Sequence, residues 1–360
     1  MKIRDRYITK TLLSYTIIVL VVWTSIYSFF NFLAELNSIG KDGYTILSAF
    51  TYVILQLPEV VYKQASPIIL LGCILGMGHL ASTGQLLIFR VSGASILKIT
   101  LLTLKNSLLF VFIFISIGEF LAPISSSFAD SSRSNAMGNS STSGNQIGFW
   151  IRDGDNFINV KRNIEGTLFS GITVIEVNSS NKIERVIKSE NAIFDGDSID
   201  MSGSEIFSID ELNSFDRISL KERNSYNKTV SFDQDLIDSL EKEPEDLSSW
   251  TLIKQIRFLS DNKLRSGVFE VELYKRLIQP ITLIAMILLA MLFIFGSTRE
   301  ATLGRKIFFG VALGLSFEML TRIASAMVLG LDFSPFLSSI LPPIVVMFIS
   351  IILLLKKSFS

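Results

Sequence analysis

The sequence predicts a membrane protein of six helices, divided three and three by an inserted β-domain. The chain has 360 residues, of which 49% are hydrophobic, and the apolar residues are concentrated toward its two ends. A helix that crosses a bilayer needs about 20 mostly apolar residues, and the middle of the chain is polar instead. We therefore expect three spans in residues 1–122, an external β-domain with helical connectors in residues 123–268, and three spans in residues 269–360.

The six predicted spans follow from apolar runs of sufficient length. They cover residues 12–33, 60–81, 99–121, 277–295, 307–329 and 336–355. Pro67 predicts a kink in the second span, because proline removes a helical hydrogen bond. Residues 44–57 are also apolar but too few to cross a bilayer, and we expect an interfacial helix there.

The orientation of the spans follows from their basic flanks, because cytoplasmic loops carry an excess of Lys and Arg. Basic residues cluster at both termini and in the loops after the second and fourth spans. They are Lys2, Arg4, Arg6, Lys10, Arg90, Lys98, Arg299, Arg305, Lys306, Lys356 and Lys357. This pattern predicts two cytoplasmic termini and a β-domain on the opposite side of the membrane.

The middle segment shows the alternation and turn signals of β-structure. Asp153-Gly154 predicts a hairpin turn between two alternating runs, and Asp195-Gly196 predicts a second turn. Strand signals recur about every ten residues, as in a sandwich or barrel, with a last strand at 228–232. A helix capped by Ser248 or Ser249 follows. No catalytic constellation is evident in this segment.

Several function classes are disfavoured by what the sequence lacks. It holds one cysteine, Cys73, and one histidine, His79, which excludes an intrachain disulfide and argues against a histidine metal site or a catalytic triad. No phosphate-binding glycine loop occurs, so we expect no enzyme activity, cofactor or metal on this chain. The zero net charge gives no argument for a nucleic-acid partner.

The stretch ASTGQLLIFRVSGAS, residues 81–95, lies between the second and third spans and predicts a short helix at about 83–92. Ser82 and Gln85 have the spacing of a capping box, and Gly93 is a suitable C′ residue. Apolar side chains cover most of its circumference, a pattern that favours a protein groove. An interfacial helix without a partner is the alternative.

Two further patterns lie within the spans. Glu318 and Arg322 are four residues apart and share a helix face. Ionisable side chains inside a membrane span usually face protein or a water-filled cavity. The pair is therefore either a structural ion pair within the helix bundle or part of a substrate cavity. Gly72-x-x-x-Gly76 and Gly310-x-x-x-Gly314 favour close helix packing, either within this chain or against another.

Four sequence motifs resemble the LptF/LptG permease family: IGEFLAP (117–123), FWIRDG (149–154), KRLIQP (275–280) and FIFGSTR (293–299). The resemblance implies the membrane part of an ABC transporter that extracts lipopolysaccharide from the Gram-negative inner membrane for outer-membrane biogenesis. It implies a periplasmic β-jellyroll that docks LptC-type and LptA-type jellyrolls. It also implies an LptF-type and LptG-type pair on an LptB-type ATPase dimer, which would hold ATP and Mg.

The resemblance also implies two sets of site residues. Its coupling helix corresponds to the 81–95 stretch, with Gln85, Leu86, Leu87, Phe89 and Arg90 as ATPase contacts. The family usually has a carboxylate where this chain has Gln85. The anionic lipid substrate favours basic or polar contacts, and the candidates are Arg133, Lys275, Arg276, Arg322 and Asn31. Family members often carry Lys near the outer end of the first span, where this chain has Glu35.

Two other classes of function remain open from the residues. An ion-driven secondary transporter would need a titratable midplane group, for which Glu318 is the candidate, and would favour an internal repeat. A membrane-anchored receptor would use the β-domain as its sensor. It would also need a cytoplasmic output domain, which the sequence does not suggest.

Overall fold

The computed structural model describes residues 3–41, 43–137, 149–164, 167–178, 182–212, 215–240, 243–295, 303–331 and 333–359. Lys2 and Arg299 lie outside these residues. The chain divides into two compact units. The helical unit comprises Met1–Ile39, Ile46–Asp130 and Glu270–Ser360, and the β-unit comprises Gly40–Thr45 and Ser131–Phe269.

Twelve α-helices form within the described residues. They are α1 (Ile3–Glu35), α2 (Ile46–Leu55), α3 (Leu57–Lys63), α4 (Ala65–Ser82), α5 (Gln85–Val91), α6 (Ile96–Ser116), α7 (Ala122–Ala136), α8 (Gln234–Leu240), α9 (Ser249–Asp261), α10 (Gly267–Ile294), α11 (Leu303–Leu331) and α12 (Pro335–Phe359). Six helical segments among the described residues are long and apolar enough to cross a membrane. The prediction of six spans, three on either side of a β-domain, is confirmed.

The second and third spans differ from their predicted outlines. Helix α3 ends at Lys63 and α4 begins at Ala65. The helix is therefore interrupted at Gln64 and does not kink at Pro67. Pro67 lies in the first turn of α4, where a missing N–H costs little. In the third span, α6 is followed by a π-helical turn, Ile117–Leu121. The helical segment then continues beyond Leu121 as α7.

Helix α4 is the most buried of the six candidate spans, because glycines let its neighbours approach closely. A Cβ added at Gly72 would lie 2.5 Å from Thr16 Oγ1 on α1. A Cβ added at Gly310 on α11 would lie 2.5 Å from Leu71 Cδ2 on α4. Both small-residue motifs therefore pack helices within this chain, with α4 between α1 and α11.

Gly72→Ala should destabilise the helical unit, because the added methyl group meets Thr16 on a rigid helix and overpacking costs about 1–3 kcal/mol. Gly330→Ala is the matched control, since an added Cβ at this helical glycine has nothing within 4 Å. We expect a lower midpoint of thermal unfolding in detergent for Gly72→Ala and an unchanged or higher one for Gly330→Ala. Equal midpoints would contradict the close packing of α1 on α4.

The β-unit contains six strands within the described residues: β1 (Phe149–Asp153), β2 (Asn156–Ile164), β3 (Leu168–Val177), β4 (Ile183–Phe194), β5 (Ser198–Leu212) and β6 (Phe215–Thr229). They form one antiparallel sheet in sequence order. The inserted β-domain is confirmed, as one continuous sheet. The predicted last strand at 228–232 is wrong, because β6 ends at Thr229 and Phe232 turns into the core.

One face of the sheet carries the core of the β-unit, which is built around phenylalanine rings. Phe169 stacks on Phe194, and Phe194 stacks on Phe232, each with ring centroids 5.8 Å apart. Phe258 of α9 meets Phe232 edge to face. Ser248 caps α9, because its Oγ accepts a hydrogen bond from Thr251 N–H at 3.1 Å. The sequence prediction of this cap is confirmed.

A polar cluster lies on the same face, where Glu176 is almost fully buried. Its Oε1 accepts hydrogen bonds from Lys228 Nζ at 2.6 Å and from Tyr226 OH at 2.9 Å. Arg185 Nε lies 2.9 Å from Oε2. Burial alone would raise the pKa of Glu176, but the two hydrogen bonds and the two cations hold it below its usual range. Burial and the bond to Glu176 raise the pKa of Tyr226 to about 12.

Candidate coupling and lipid-binding sites

Helix α5 begins at a glycine turn and not at a capping box. Ser82 is the last residue of α4, and its Oγ donates to His79 O at 3.0 Å. The cap is Gly84, whose φ of +76° suits glycine, and its carbonyl accepts from Leu87 and Ile88 N–H. The predicted Ser82–Gln85 capping box is wrong because α4 continues through Ser82.

The end of α5 is fixed by a second glycine, as predicted. Gly93 has a φ of +85°. Its N–H donates to Arg90 O at 3.0 Å, and Ala94 N–H donates to Phe89 O at 3.1 Å. These two bonds are the Schellman pattern. Helix α5 is thus a seven-residue helix with a defined turn at each end.

The two sides of α5 differ in burial. Leu86 is buried in the helical core, and Phe89 packs against it, lining a small cavity with Ile8 and Leu102. These two side chains, three residues apart, anchor α5 to the helical bundle by packing against its core. Leu87, Ile88 and Val91 form the exposed apolar face of α5; Ile88 is 67% exposed and Val91 is 81% exposed. Arg90 is also exposed.

The structure therefore divides the residues that the sequence grouped as ATPase contacts. Leu86 and Phe89 face inward, whereas Leu87 and Arg90 face outward. Ile88 and Val91, which the candidate set omitted, are the most exposed apolar side chains of the helix. Val91 follows Ile88 by three residues and Leu87 by four, and this helical spacing was the sequence signal for a shared face.

Gln85 sits at the start of α5 with an unsatisfied acceptor. Its side-chain Oε1 is buried, and it has no hydrogen-bond partner within the described part of the chain. A buried carbonyl oxygen without a donor costs about 1–3 kcal/mol. Because Oε1 is covered by this chain, Gln85 would have to change rotamer before it could accept a hydrogen bond from a partner.

Helix α5 lies at the same end of the helical unit as the predicted cytoplasmic basic residues. The cavity beside Phe89 is also lined by Ile8 of α1 and Lys98 of α6. At the start of α11, Lys306 Nζ donates to Gly78 O of α4 at 3.1 Å. The beginnings of α1, α6 and α11 therefore share one end with α5.

Glu318 and Arg322 form an ion pair on α11 with Nη2 and Oε1 3.6 Å apart. The Arg322 side chain is 73% exposed, and that of Glu318 is about one-third exposed. The pair therefore lies on the surface of the helical unit, and its charges are not enclosed by this chain.

The other lipid-binding candidates are distributed rather than gathered. Arg276 is buried, with Nε 3.5 Å from Glu272 Oε1, and Lys275 Nζ lies 3.7 Å from Glu272 Oε2. Arg133 belongs to the β-unit and Asn31 to α1. Glu272 is not among the residues predicted from the sequence, although its spacing of three and four residues from Lys275 and Arg276 is the usual ion-pair pattern.

The profile of a protein family described as lipopolysaccharide export system permease LptF/LptG matches residues 6–356. The chain belongs to the LptF/LptG family. The lipopolysaccharide export system permease protein LptG of Escherichia coli strain K12 is 27% identical over 360 residues, covering 98% of each chain. LptG of Haemophilus influenzae is 27% identical over 319 residues, covering 89% of this chain and 88% of its own.

Membership in the LptF/LptG family makes this chain a permease subunit of lipopolysaccharide export and a multi-pass inner-membrane protein. The QP of KRLIQP followed by FIFG resembles LptG more than LptF, in agreement with these relatives. Within IGEFLAP, Gly118 lies in the π-helical turn against Tyr62, and an added Cβ would lie 2.1 Å from Tyr62 Cδ2. The glycine of that motif thus permits the contact between α3 and the third span.

Proposed function

We propose that this chain is the LptG-type subunit of an ABC transporter that extracts lipopolysaccharide from the inner membrane, driven by a separate LptB-type ATPase dimer. The observation that carries the proposal is the exposed apolar face of α5, located between two membrane spans. A helix with both an inward and an outward apolar side favours a protein groove over a lipid surface alone. Membership in the LptF/LptG family indicates that the substrate is lipopolysaccharide.

The energetics of α5 support a docking role. Leu86 and Phe89 already hold the helix, so Leu87, Ile88 and Val91 are not needed for its attachment. Burying their exposed parts in a groove would contribute about 3–5 kcal/mol before association costs.

The basic residues support a cytoplasmic position for α5. Lys98 and Lys306 share its end of the helical unit, and the positive-inside rule assigns that end to the cytoplasm. With an even number of crossings, both termini lie in the cytoplasm. The β-unit, inserted after three crossings, then lies in the periplasm, where it would join LptC-type and LptA-type jellyrolls.

The Glu318–Arg322 pair supports a cavity shared with an LptF-type subunit. A charge at the depth of a span is costly when lipid surrounds it, and this chain leaves most of Arg322 uncovered. A second permease subunit or a water-filled cavity would remove that cost. Arg322 could then pair with a phosphate of the substrate.

Arg322→Leu should lower ATP-driven release of lipopolysaccharide from proteoliposomes about fivefold, the effect of losing roughly 1 kcal/mol of binding. The yield of the assembled complex should stay unchanged, because leucine suits a lipid-facing or cavity-facing position. Arg322→Lys is the control for charge and should keep most of the release. A parallel loss of complex yield and release would indicate a structural pair instead.

The proposed function is tested by affinity purification of the full-length chain from its own membranes. We expect an ATPase and a second six-span chain to co-purify, and the complex to release lipopolysaccharide only with ATP. A single chain that transports lipid with an ion gradient and no ATPase would contradict the proposal. In that case Glu318→Gln should abolish transport, as the secondary-transporter alternative requires.

A further inference from the structure

The first turn of α11 carries a buried lysine that neither the coupling site nor the lipid-binding candidates include. Lys306 is only 7% exposed, whereas its neighbour Arg305 is exposed. The Nζ of Lys306 donates a hydrogen bond to Gly78 O of α4 at 3.1 Å. Lysine is rarely buried, and burying its charge is costly without hydrogen bonds. A specific role is therefore expected for this side chain.

The acceptor of this hydrogen bond is placed for a cation. Gly78 lies four residues before Ser82, the last residue of α4, and the C-terminal end of a helix carries a partial negative charge that favours a cation. The glycine also provides the space for the lysine. A Cβ added at Gly78 would lie 3.3 Å from both Cδ and Nζ of Lys306, so a larger residue would crowd the contact.

The same end of α4 also contacts α1, but through apolar packing. The ring of His79 lies 5.4 Å from the ring of Tyr15, measured between centroids, and a Cβ added at Gly76 would lie 3.3 Å from Leu12 Cδ2. Apolar packing is non-directional, so it does not by itself fix the position of one helix along another. The bond from Lys306 is directional and ties α11 to one particular carbonyl of α4.

We propose that Lys306 is a positioning residue that makes α11 move with the end of α4, and therefore with α5. Only two residues, Thr83 and Gly84, separate α4 from α5, so the bonded carbonyl lies within two turns of the coupling helix. The inference rests on the proposed function, because it assumes that an ATPase displaces α5. The bond then serves the coupling of hydrolysis to transport, and not the assembly of the complex.

Lys306→Met tests the role, because methionine keeps an unbranched side chain that packs adaptably but has no ammonium group. The complete complex is reconstituted in proteoliposomes, and lipopolysaccharide released is measured per ATP hydrolysed. We expect this ratio to fall about fivefold, while ATPase retention and the rate of hydrolysis stay near those of the unmodified complex. Lys306→Arg should restore most of the ratio, because a guanidinium group can also donate to the carbonyl.

Arg305→Met is the matched control for Lys306→Met. It removes a positive charge from the adjacent residue of the same helix, but Arg305 is exposed, so the ratio of release to hydrolysis should stay unchanged. Three results would overturn the proposal: an unchanged ratio in Lys306→Met, an equal fall in both variants, or a loss of assembled complex in Lys306→Met that matches the loss of release.

A second measurement on the isolated full-length chain separates this inference from the proposed function. Spin labels are attached to cysteines placed at the exposed positions Ser92, after α5, and Leu315 on α11, with the buried Cys73 replaced by serine. Lys306→Met should broaden the distribution of distances between the labels, and an unchanged distribution would overturn the link. This result needs no ATPase, whereas failure of the unmodified chain to co-purify with an ATPase would reject the proposed function.

Discussion

Ile88→Asp should release the ATPase from the purified complex. The substitution removes an apolar contact from the exposed face of α5 and places a carboxylate where an apolar groove would surround it. Burying such a charge without a partner costs several kcal/mol, so we expect roughly hundredfold weaker association, equivalent to nearly 3 kcal/mol. Val91→Asp should act similarly, because Val91 shares that face and is more exposed. The measurement is the ATPase retained per permease chain after affinity purification.

Two comparisons distinguish docking from a general charge effect. Ser82→Asp adds the same charge at an exposed position at the end of α4 and should retain the ATPase. Association of the unmodified chain should depend weakly on salt, because Gln85 carries no charge, whereas Gln85→Glu should make it salt-sensitive. Retention of the ATPase by both Ile88→Asp and Val91→Asp would show that α5 docks elsewhere or not at all.

Glu176→Gln should weaken the β-unit by about 2–3 kcal/mol at neutral pH. The change leaves Lys228, which is mostly buried, without its counter-charge, and breaking a buried pair is strongly destabilising. Hydrogen exchange of the amides in β3 and β6 measures the loss as a lower free energy of opening. Glu184→Gln is the control, because Glu184 is an exposed carboxylate on β4 of the same sheet.

The effect of Glu176→Gln should depend on pH in a defined direction. Because the folded protein holds the pKa of Glu176 below its usual value, the stabilisation is complete above the unfolded pKa of about 4.3. It is lost as the pH falls through the lower, folded pKa. The difference between the two proteins should therefore shrink below about pH 4, and a difference that stays constant down to pH 2 would contradict the role of the charge.

Much of the helical unit follows from the sequence, because hydropathy and length determine which segments can cross a bilayer. The C-terminal turn of α5 also follows, since Gly93 was the residue able to adopt a positive φ there. The N-terminal turn did not follow, because the spacing of Ser82 and Gln85 predicts a capping box, whereas the helix begins after a turn at Gly84. Packing of α4 extends that helix through Ser82 and decides between them.

The side of α5 that faces outward could be predicted only in part. Apolar residues cover most of the helix, so periodicity does not show whether Phe89 or Ile88 packs against the helical bundle. The choice depends on contacts with Ile8 and Leu102, which lie far away in the sequence. The burial of Arg276 similarly depends on tertiary packing, whereas its partner Glu272 was visible at helical spacing.

The position of α4 between α1 and α11 constrains how motion could spread from α5. Only Thr83 and Gly84 separate the two helices, so in the proposed complex a displacement of α5 by a bound ATPase would act directly on α4. Glycine contacts join α4 to α1 at one flank and to α11 at the other. A single displacement of α5 would therefore shift both flanking helices together, including the one that bears Arg322, without any need for a separate relay to each.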